Sequence, residues 1–262
     1  AGFDGTGQVI AIIDTGVDSA HPFLAGKVVE EACYSANSNC PNGLTVQLGP
    51  GAGVHCTYSS ACDHGTHVAG IAAGVGRGAD IMSEQVSSYL GGGKLGFYES
   101  DIMAGLERVF ALRTVHSFAS VNISLGGDKR FFSACDTDPR KPAIDNLLAA
   151  GIPTVIASGN DGWNNSVSSP ACISTAVSVA SSTKTDGRSS FSNTAPFVDL
   201  IAPGSSISSS VPGGGVELKS GTSMSAPHVA GAWAIVKEAF PSASVAAVLQ
   251  AFRDTGIDIE VR

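Results

Sequence analysis

Charge is scarce in this sequence, and positive charge scarcer than negative. Only 15% of the 262 residues are charged, 15 Lys and Arg against 23 Asp and Glu, for a net charge of −8. No run of Lys and Arg interrupts that balance, so the phosphate backbone of a nucleic acid would be repelled and nucleic acid is not an expected partner. No apolar run reaches the roughly 18 residues that a membrane-crossing helix needs, so no membrane segment is expected. There is no C-x-x-C pair, and Cys62 near His64 lacks further ligands at zinc spacing, so no metal site is assigned. The first residues, Ala1-Gly2-Phe3-Asp4, contain neither Met nor a signal pattern, as in a processed or trimmed chain.

What is present points to a folded domain. Apolar residues make up 43% of the chain, far from the composition of a disordered polymer. The length suits a single domain over residues 1–262 with a full-sized core and no partner needed to fold, so a monomer is the default. Six cysteines form an even set, as an oxidising compartment permits. Fifteen pairings are open; the cheapness of short local loops favours Cys33–Cys40 and Cys56–Cys62, with Cys135–Cys172 as a long staple.

Short apolar runs rich in β-branched residues, Val9 to Ile13, Val121 to Leu125, Pro153 to Ser158, Ala176 to Ala180 and Phe197 to Ala202, predict strands buried on both faces. Between them, Ile102, Met103, Leu106, Val109 and Phe110 recur at helical steps after Ser100-Asp101, and Arg140 to Ala150 places Ile144, Leu147 and Leu148 on one face before Gly151. Alternating strand and helix predicts an α/β fold: a mostly parallel central sheet with helices on both faces and functional groups at the carboxyl ends of strands. The Gly-, Asn- and Ser-rich stretch from Cys33 to Ser60 reads as a surface excursion pinned by cysteines, and Gly91–Gly93 and Gly213–Gly215 as loop tips.

Three segments carry candidate chemistry. Asp14, in Ile12-Ile13-Asp14-Thr15-Gly16, stands where a buried strand ends, and its carboxylate there can orient an imidazole. Taken alone, Asp-Thr-Gly is equally an Asx-type turn. His64 opens an Ala/Val/Ile helical face in Asp63-His64-Gly65-Thr66-His67-Val68-Ala69-Gly70 and is placed to act as a general base; His67, one turn on, reads as structural. Ser223, in Gly221-Thr222-Ser223-Met224-Ser225-Ala226-Pro227-His228, sits at a helix start, where free N–H groups and the positive end of the helix dipole converge. A plain N-cap is the commoner reason for a serine there. His228 reads as structural.

Together, in the order Asp, His, Ser, these segments resemble the signature blocks of the subtilisin-like serine proteases; the order is not that of chymotrypsin or the α/β-hydrolases, and Gly-Thr-Ser-Met-Ser is not a G-x-S-x-G elbow. The resemblance covers nearly the whole chain and implies a subtilisin-like fold and a secreted serine endopeptidase that hydrolyses peptide bonds through an acyl-enzyme on Ser223, with Asp14 and His64. It implies that Asn160, in Ala157-Ser158-Gly159-Asn160-Asp161, supplies the oxyanion donor. It also implies that Ser124, Leu125, Gly126 and Gly127 form an edge to which an extended peptide adds, with Ala157, Ser158 and Gly159 as the facing wall. Protein or peptide substrates follow as partners, with a pro-segment as intramolecular inhibitor. No cofactor enters the chemistry so implied; structural calcium sites belong to the resemblance, but no ligand set is assigned to them.

Two other readings use the same residues. Asp-Thr-Gly recurs at Asp254, as the carboxylate pair of an aspartic protease would require, but there it follows a helical pattern in a chain that is not all-β. The other is a catalytically inactive subtilisin-fold protein that binds peptides, against which stands the competent residue at each of the four positions. Within Gly74 to Gln85, Arg77 and Glu84 stand where relatives tend to carry uncharged or apolar residues.

Overall fold

The computed structural model describes residues 2–259; Ala1 and residues 260–262, which the single-domain reading includes, lie outside them. The strands are β1 (Val9–Asp14), β2 (Val28–Tyr34), β3 (Val46–Leu48), β4 (Asp80–Gln85), β5 (Ser87–Gly91), β6 (Lys94–Phe97), β7 (Phe118–Ile123), β8 (Arg130–Phe131), β9 (Thr154–Ala157), β10 (Val167–Ser168), β11 (Val177–Ser182), β12 (Leu200–Pro203), β13 (Ile207–Val211) and β14 (Gly215–Lys219). The helices are α1 (His64–Val75), α2 (Glu99–Leu112), α3 (Lys141–Ala149), α4 (Thr222–Ala239) and α5 (Val245–Thr255).

Eight strands form one sheet in the order β12-β11-β9-β7-β1-β4-β2-β3, every pair parallel except β2 with β3. Strand alternation divides the core. Ile10 and Ile12 of β1 pack with Val68, Ile71 and Ala72 of α1 and with Val229 and Trp233 of α4. Val9, Ala11 and Ile13 face Ile102, Leu106 and Val109 of α2 and Ile144 and Leu147 of α3. Helices on both faces explain why β1 reads as an uninterrupted apolar run, and each large aliphatic side chain fully buried this way stabilises the fold by about 1.5–3 kcal/mol.

The predicted α/β fold is therefore the observed one, with boundaries shifted by a few residues: the run at 121–125 is strand over Phe118–Ile123, and that at 197–202 is strand over Leu200–Pro203. The excursion from Cys33 to Ser60 contains more order than expected, since Cys33 and Tyr34 complete β2 and Val46–Leu48 pair with it. The two glycine triplets are hairpin tips, between β5 and β6 and between β13 and β14. The three disulfides are Cys33–Cys40, Cys56–Cys62 and Cys135–Cys172, with Cα separations of 5.6, 5.1 and 5.3 Å.

β1 is where the sheet changes direction of growth: β7, β9, β11 and β12 extend to one side, β4, β2 and β3 to the other. In an open parallel sheet a crevice forms at the carboxyl ends of the strands at such a point. The segments ending β1, β7 and β9 all open there, and they carry Asp14, Ser124 and Asn160.

Glu84 is the buried one of the two charges singled out in the 74–85 segment. It lies on β4 opposite Ile13, wholly buried, with both carboxyl oxygens lacking a hydrogen-bond partner among the described residues. Helix α2 comes down on it so closely that a Cβ at Gly105 would stand 2.5 Å from its Oε2. Burial pushes this carboxyl well above the ordinary carboxylate range; Arg108 opposes the shift only in part, and Glu30 adds to it. The folded protein thus keeps a proton that the unfolded chain has already released, so stability falls as pH rises from the unfolded glutamate pKa towards the raised folded one. Glu84→Gln, made with Ser223 replaced by Ala, is expected to raise the thermal unfolding midpoint more at about pH 8 than at about pH 4. An equal shift at both pH values would contradict a protonated Glu84.

Candidate active site

Asp14 ends β1 and is completely buried. Its Oδ1 accepts hydrogen bonds from the Thr15 backbone N–H at 2.8 Å and from His64 Nδ1 at 2.8 Å. Its Oδ2 is buried without a partner among the described residues. Such a carboxylate fixes the imidazole with Nδ1 protonated and Nε2 as the basic atom.

His64 reaches Asp14 because it is the first residue of α1 and because the start of that helix is pressed against the end of β1. Thr15 Oγ1 accepts from the Gly65 N–H at 2.8 Å, capping α1 from outside, and donates to the Cys62 carbonyl at 3.2 Å. A Cβ at Gly65 would lie 2.4 Å from the Gly16 carbonyl oxygen, so only glycine allows this approach. The Cys56–Cys62 disulfide closes the loop leading into the helix. His64 retains 25% of its side-chain exposure. Burial lowers its pKa, but the charge and hydrogen bond of Asp14, with a smaller contribution from Asp63, outweigh burial and raise it above the ordinary histidine value.

Ser223 is the second residue of α4. Pro227, inside the same helix, has no N–H to give the carbonyl four residues back, which is that of Ser223. Ser124 Oγ takes over, donating to the Ser223 carbonyl at 2.8 Å, while the Ser223 hydroxyl donates to the Ser124 carbonyl at 3.0 Å. Asn122 Nδ2 in turn donates to Ser124 Oγ at 3.0 Å. No hydrogen bond joins Ser223 to His64 among the described residues.

Asn160 lies just beyond β9. Its Oδ1 accepts from the Thr222 N–H at 2.8 Å and the Thr222 hydroxyl at 3.0 Å. That leaves its Nδ2 donors unengaged among the described residues, 3.5 Å from where a Cβ on Gly221 would stand. A free side-chain amide and the N–H groups opening α4 therefore lie beside the Ser223 hydroxyl, an arrangement that can bind a developing oxyanion.

A cleft of about 180 Å³ adjoins these groups, lined by Ser124, Leu125, Gly126 and Gly127 on one side and Ala157, Gly159 and Asn160 on the other, with Ser223 at its edge. The Leu125–Asp128 segment continues into a cavity of about 660 Å³ bordered by Phe97, Ile102, Phe131 and Arg140. The edge is braced from behind by the Gly127 N–H, which donates to the Ser169 carbonyl at 2.9 Å. Ser158 departs from expectation: its side chain is absent from the cleft, is fully buried and donates to the Asn193 carbonyl at 2.7 Å. Alternation along the extended segment turns it inward while Ala157 faces the opening. Asp128, Asp161 and Ser168 also line the cleft and were not among the expected residues. Asp128 follows Gly127 and Asp161 follows Asn160, an adjacency that could have pointed to both; Ser168, on the two-residue strand β10, left no signal in the sequence.

The remaining candidates sit elsewhere in the structure. His67 is buried in α1, its Nε2 3.1 Å from the Glu217 carbonyl, and burial lowers its pKa. His228 Nδ1 lies 2.8 Å from the Met224 carbonyl, one turn back in α4. Asp254 is exposed on α5 and bonded to Gln250, not to Asp14. As to metals, no group of three or more Asp, Glu, His or Cys side chains that could hold an ion occurs among the described residues, and no calcium ligands are assigned.

In the comparisons with known proteins, the family model described as the subtilase family matches residues 5–256. Alkaline serine exoprotease A of Vibrio alginolyticus is 36% identical over 240 residues, 90% of this chain and 39% of that protein. Subtilisin-like protease 5 of Arthroderma benhamiae is 35% identical over 246 residues, 90% of this chain and 54% of that protein. The chain thus spans about half, or less, of the length of these curated relatives. Among solved structures, a cold-adapted subtilisin-like serine proteinase superposes with a TM-score of 0.75 at 29% identity, covering 97% of this chain and 84% of that one.

The pairing of His64 with a buried carboxylate has a spectroscopic consequence. An NMR titration of the His64 ring is expected to give a pKa above 6.5, and Asp14→Asn is expected to lower it, because burial then acts without the opposing charge. A ring titrating below 6.5 in the unaltered site, or unmoved by Asp14→Asn, would contradict the pairing.

Proposed function

The chain belongs to the subtilase family, and from that premise we propose that it is a secreted serine endopeptidase acting through Asp14, His64, Ser223 and Asn160. What supports this reading most is an imidazole held by a buried carboxylate at the end of β1, together with a serine hydroxyl at a helix start beside an asparagine amide whose oxygen is anchored and whose nitrogen is free. A peptide adding along Ser124–Gly127 that donates an N–H to the Ser124 carbonyl displaces the Ser223 hydroxyl from it and frees that hydroxyl for His64.

His64 Nε2 then removes the hydroxyl proton as Ser223 Oγ attacks the scissile carbonyl. The tetrahedral oxyanion is held by Asn160 Nδ2 and the backbone N–H of Ser223. Asp14 stabilises the imidazolium, which gives its proton to the leaving amine; water repeats the sequence and releases the acyl group. Base, nucleophile and oxyanion donors are all supplied by the chain, so a metal-free mechanism is complete in itself.

The three disulfides suit an oxidising, extracellular setting. The partners in this reading are protein or peptide substrates and a pro-segment serving as intramolecular inhibitor. The enzyme works as a monomer, without nucleic acid or membrane.

Ser223→Ala is expected to abolish hydrolysis of a casein or peptide substrate while leaving the circular dichroism spectrum and unfolding midpoint nearly unchanged. Asn160→Ala is expected to lower kcat by about 10²–10³-fold with a smaller effect on KM. Substantial turnover by pure Ser223→Ala would refute the assignment, as would inhibition by a statine-type peptide but not by a serine-directed phosphonate. Chelation by EDTA should leave the chemical step intact in protein that remains folded.

A further inference from the structure

We propose that the cleft beside Ser223 selects a lysine or arginine side chain on the residue whose carbonyl is attacked, and that Asp128 and Asp161 make the choice. This rests on the endopeptidase reading and specifies its substrate class.

The charged groups lining the cleft are Asp128 and Asp161; no Lys, Arg or His is among the lining residues. They arrive from separate loops, Asp128 directly after the Gly126–Gly127 edge and Asp161 directly after Asn160, so a side chain entering between the two walls has a carboxylate from each. Both residues are exposed. Asp128 takes part in no hydrogen bond or ion pair among the described residues. Asp161 is held in place without being neutralised: its Oδ2 accepts from the uncharged Asn193 amide at 3.0 Å, and its own N–H donates to Asn193 Oδ1 at 2.9 Å.

The cations closest in sequence are committed elsewhere. Lys129 borders the larger cavity and not this cleft. Arg130 donates to Ser166 Oγ at 2.6 Å and Asn165 Oδ1 at 2.8 Å, and its guanidinium lies over the rings of Phe132 and Trp163 at 4.7 and 5.2 Å.

Space and polarity suit the same occupant. The walls include three glycines, and Gly159 is kept bare by its surroundings: its φ is +107° and a Cβ there would stand 2.3 Å from Asn193 Nδ2 and 2.5 Å from Ser168 Oγ. Ser168, 3% exposed, presents a hydroxyl whose one hydrogen bond among the described residues is a 3.4 Å contact from the Asn193 amide. A lone pair therefore remains for an entering N–H donor. An aliphatic stem can lie along Leu125 and Ala157 while its charged end meets the carboxylates, the division of labour usual for long basic side chains. The net charge of −8 adds a long-range, salt-dependent attraction for basic peptides.

The test uses the intact protein and four fluorogenic peptides identical except at this position, which carries Lys, norleucine, Phe or Glu. Norleucine matches the apolar stem of lysine without its charge. Two exposed charge pairs predict a kcat/KM for Lys about tenfold above that for norleucine, shrinking at high salt, with Glu the poorest. Asp128→Asn and Asp161→Asn are each expected to reduce the Lys-to-norleucine ratio by about threefold and together to bring it near unity. Norleucine or Phe cleaved as well as Lys at low salt would overturn the proposal while leaving the endopeptidase reading intact, and so would a Lys preference that survives both substitutions. Cleavage of none of the four would overturn the endopeptidase reading and this proposal with it.

Discussion

The site depends on one carboxylate that water does not reach. Asp14 has no exposed surface, and a lone buried charge is costly enough that a group in this position either finds partners or gives up its charge. The partners it has are the next residue's N–H and the His64 ring. Each demands something of the chain. The N–H is that of Thr15, which follows β1 and bridges to Gln85; the ring requires the first residue of α1 to sit at the end of β1. That placement in turn needs a glycine at position 65, the Thr15 hydroxyl as an external cap, and a closed loop at Cys56–Cys62. A local electrostatic requirement thereby fixes the docking of a whole helix against the sheet.

The opposite half of the site is fixed by a different defect, the missing N–H of Pro227. The carbonyl it strands belongs to Ser223, and the hydroxyl that satisfies it comes from Ser124 at the end of β7. The serine at the helix start is thus tied to the edge along which a peptide would add. Asn160 completes the link by accepting from Thr222, so that β9 is tied to the same helix start. Strands β1, β7 and β9 are neighbours in the sheet, and the reversal of strand order at β1 leaves their ends open to one crevice. The same geometry that stabilises the core therefore brings these strand ends together.

How much of this was legible in the sequence varied with the physics involved. Strands buried on both faces are rich in β-branched apolar residues, so β1, β7, β9 and β11 could be read directly despite the small polar residues in β7 and β11, as could α2 and α3 from their helical spacing. Strands β2 and β4 could not, because they carry Glu30 and Glu31, and Ser83, Glu84 and Gln85, at positions where an apolar pattern is the signal. Glu84 is buried by the descent of α2 on Gly105, a tertiary fact that no local pattern announces. At the site, Asp14, His64, Ser223 and Asn160 were singled out from short motifs and their order; the structure pairs Asp14 with His64 and links Asn160 to the start of α4. Ser158 was placed on the wall because the motif runs through it, whereas strand alternation turns it inward. The two carboxylates of the cleft were missed although each directly follows a residue that was singled out, because the fold decides which loop positions face a cavity.

Burial of Asp14 and its grip on His64 are proposed to activate the serine at position 223. The most direct measurement is reaction with a fluorophosphonate probe before and after heat denaturation, and with His64→Ala, the adduct being located by peptide mass mapping. Label is expected on Ser223 in the folded protein and none after unfolding or without His64. Failure of the folded protein to label, or labelling of Ser223 that persists in the denatured chain, would contradict it.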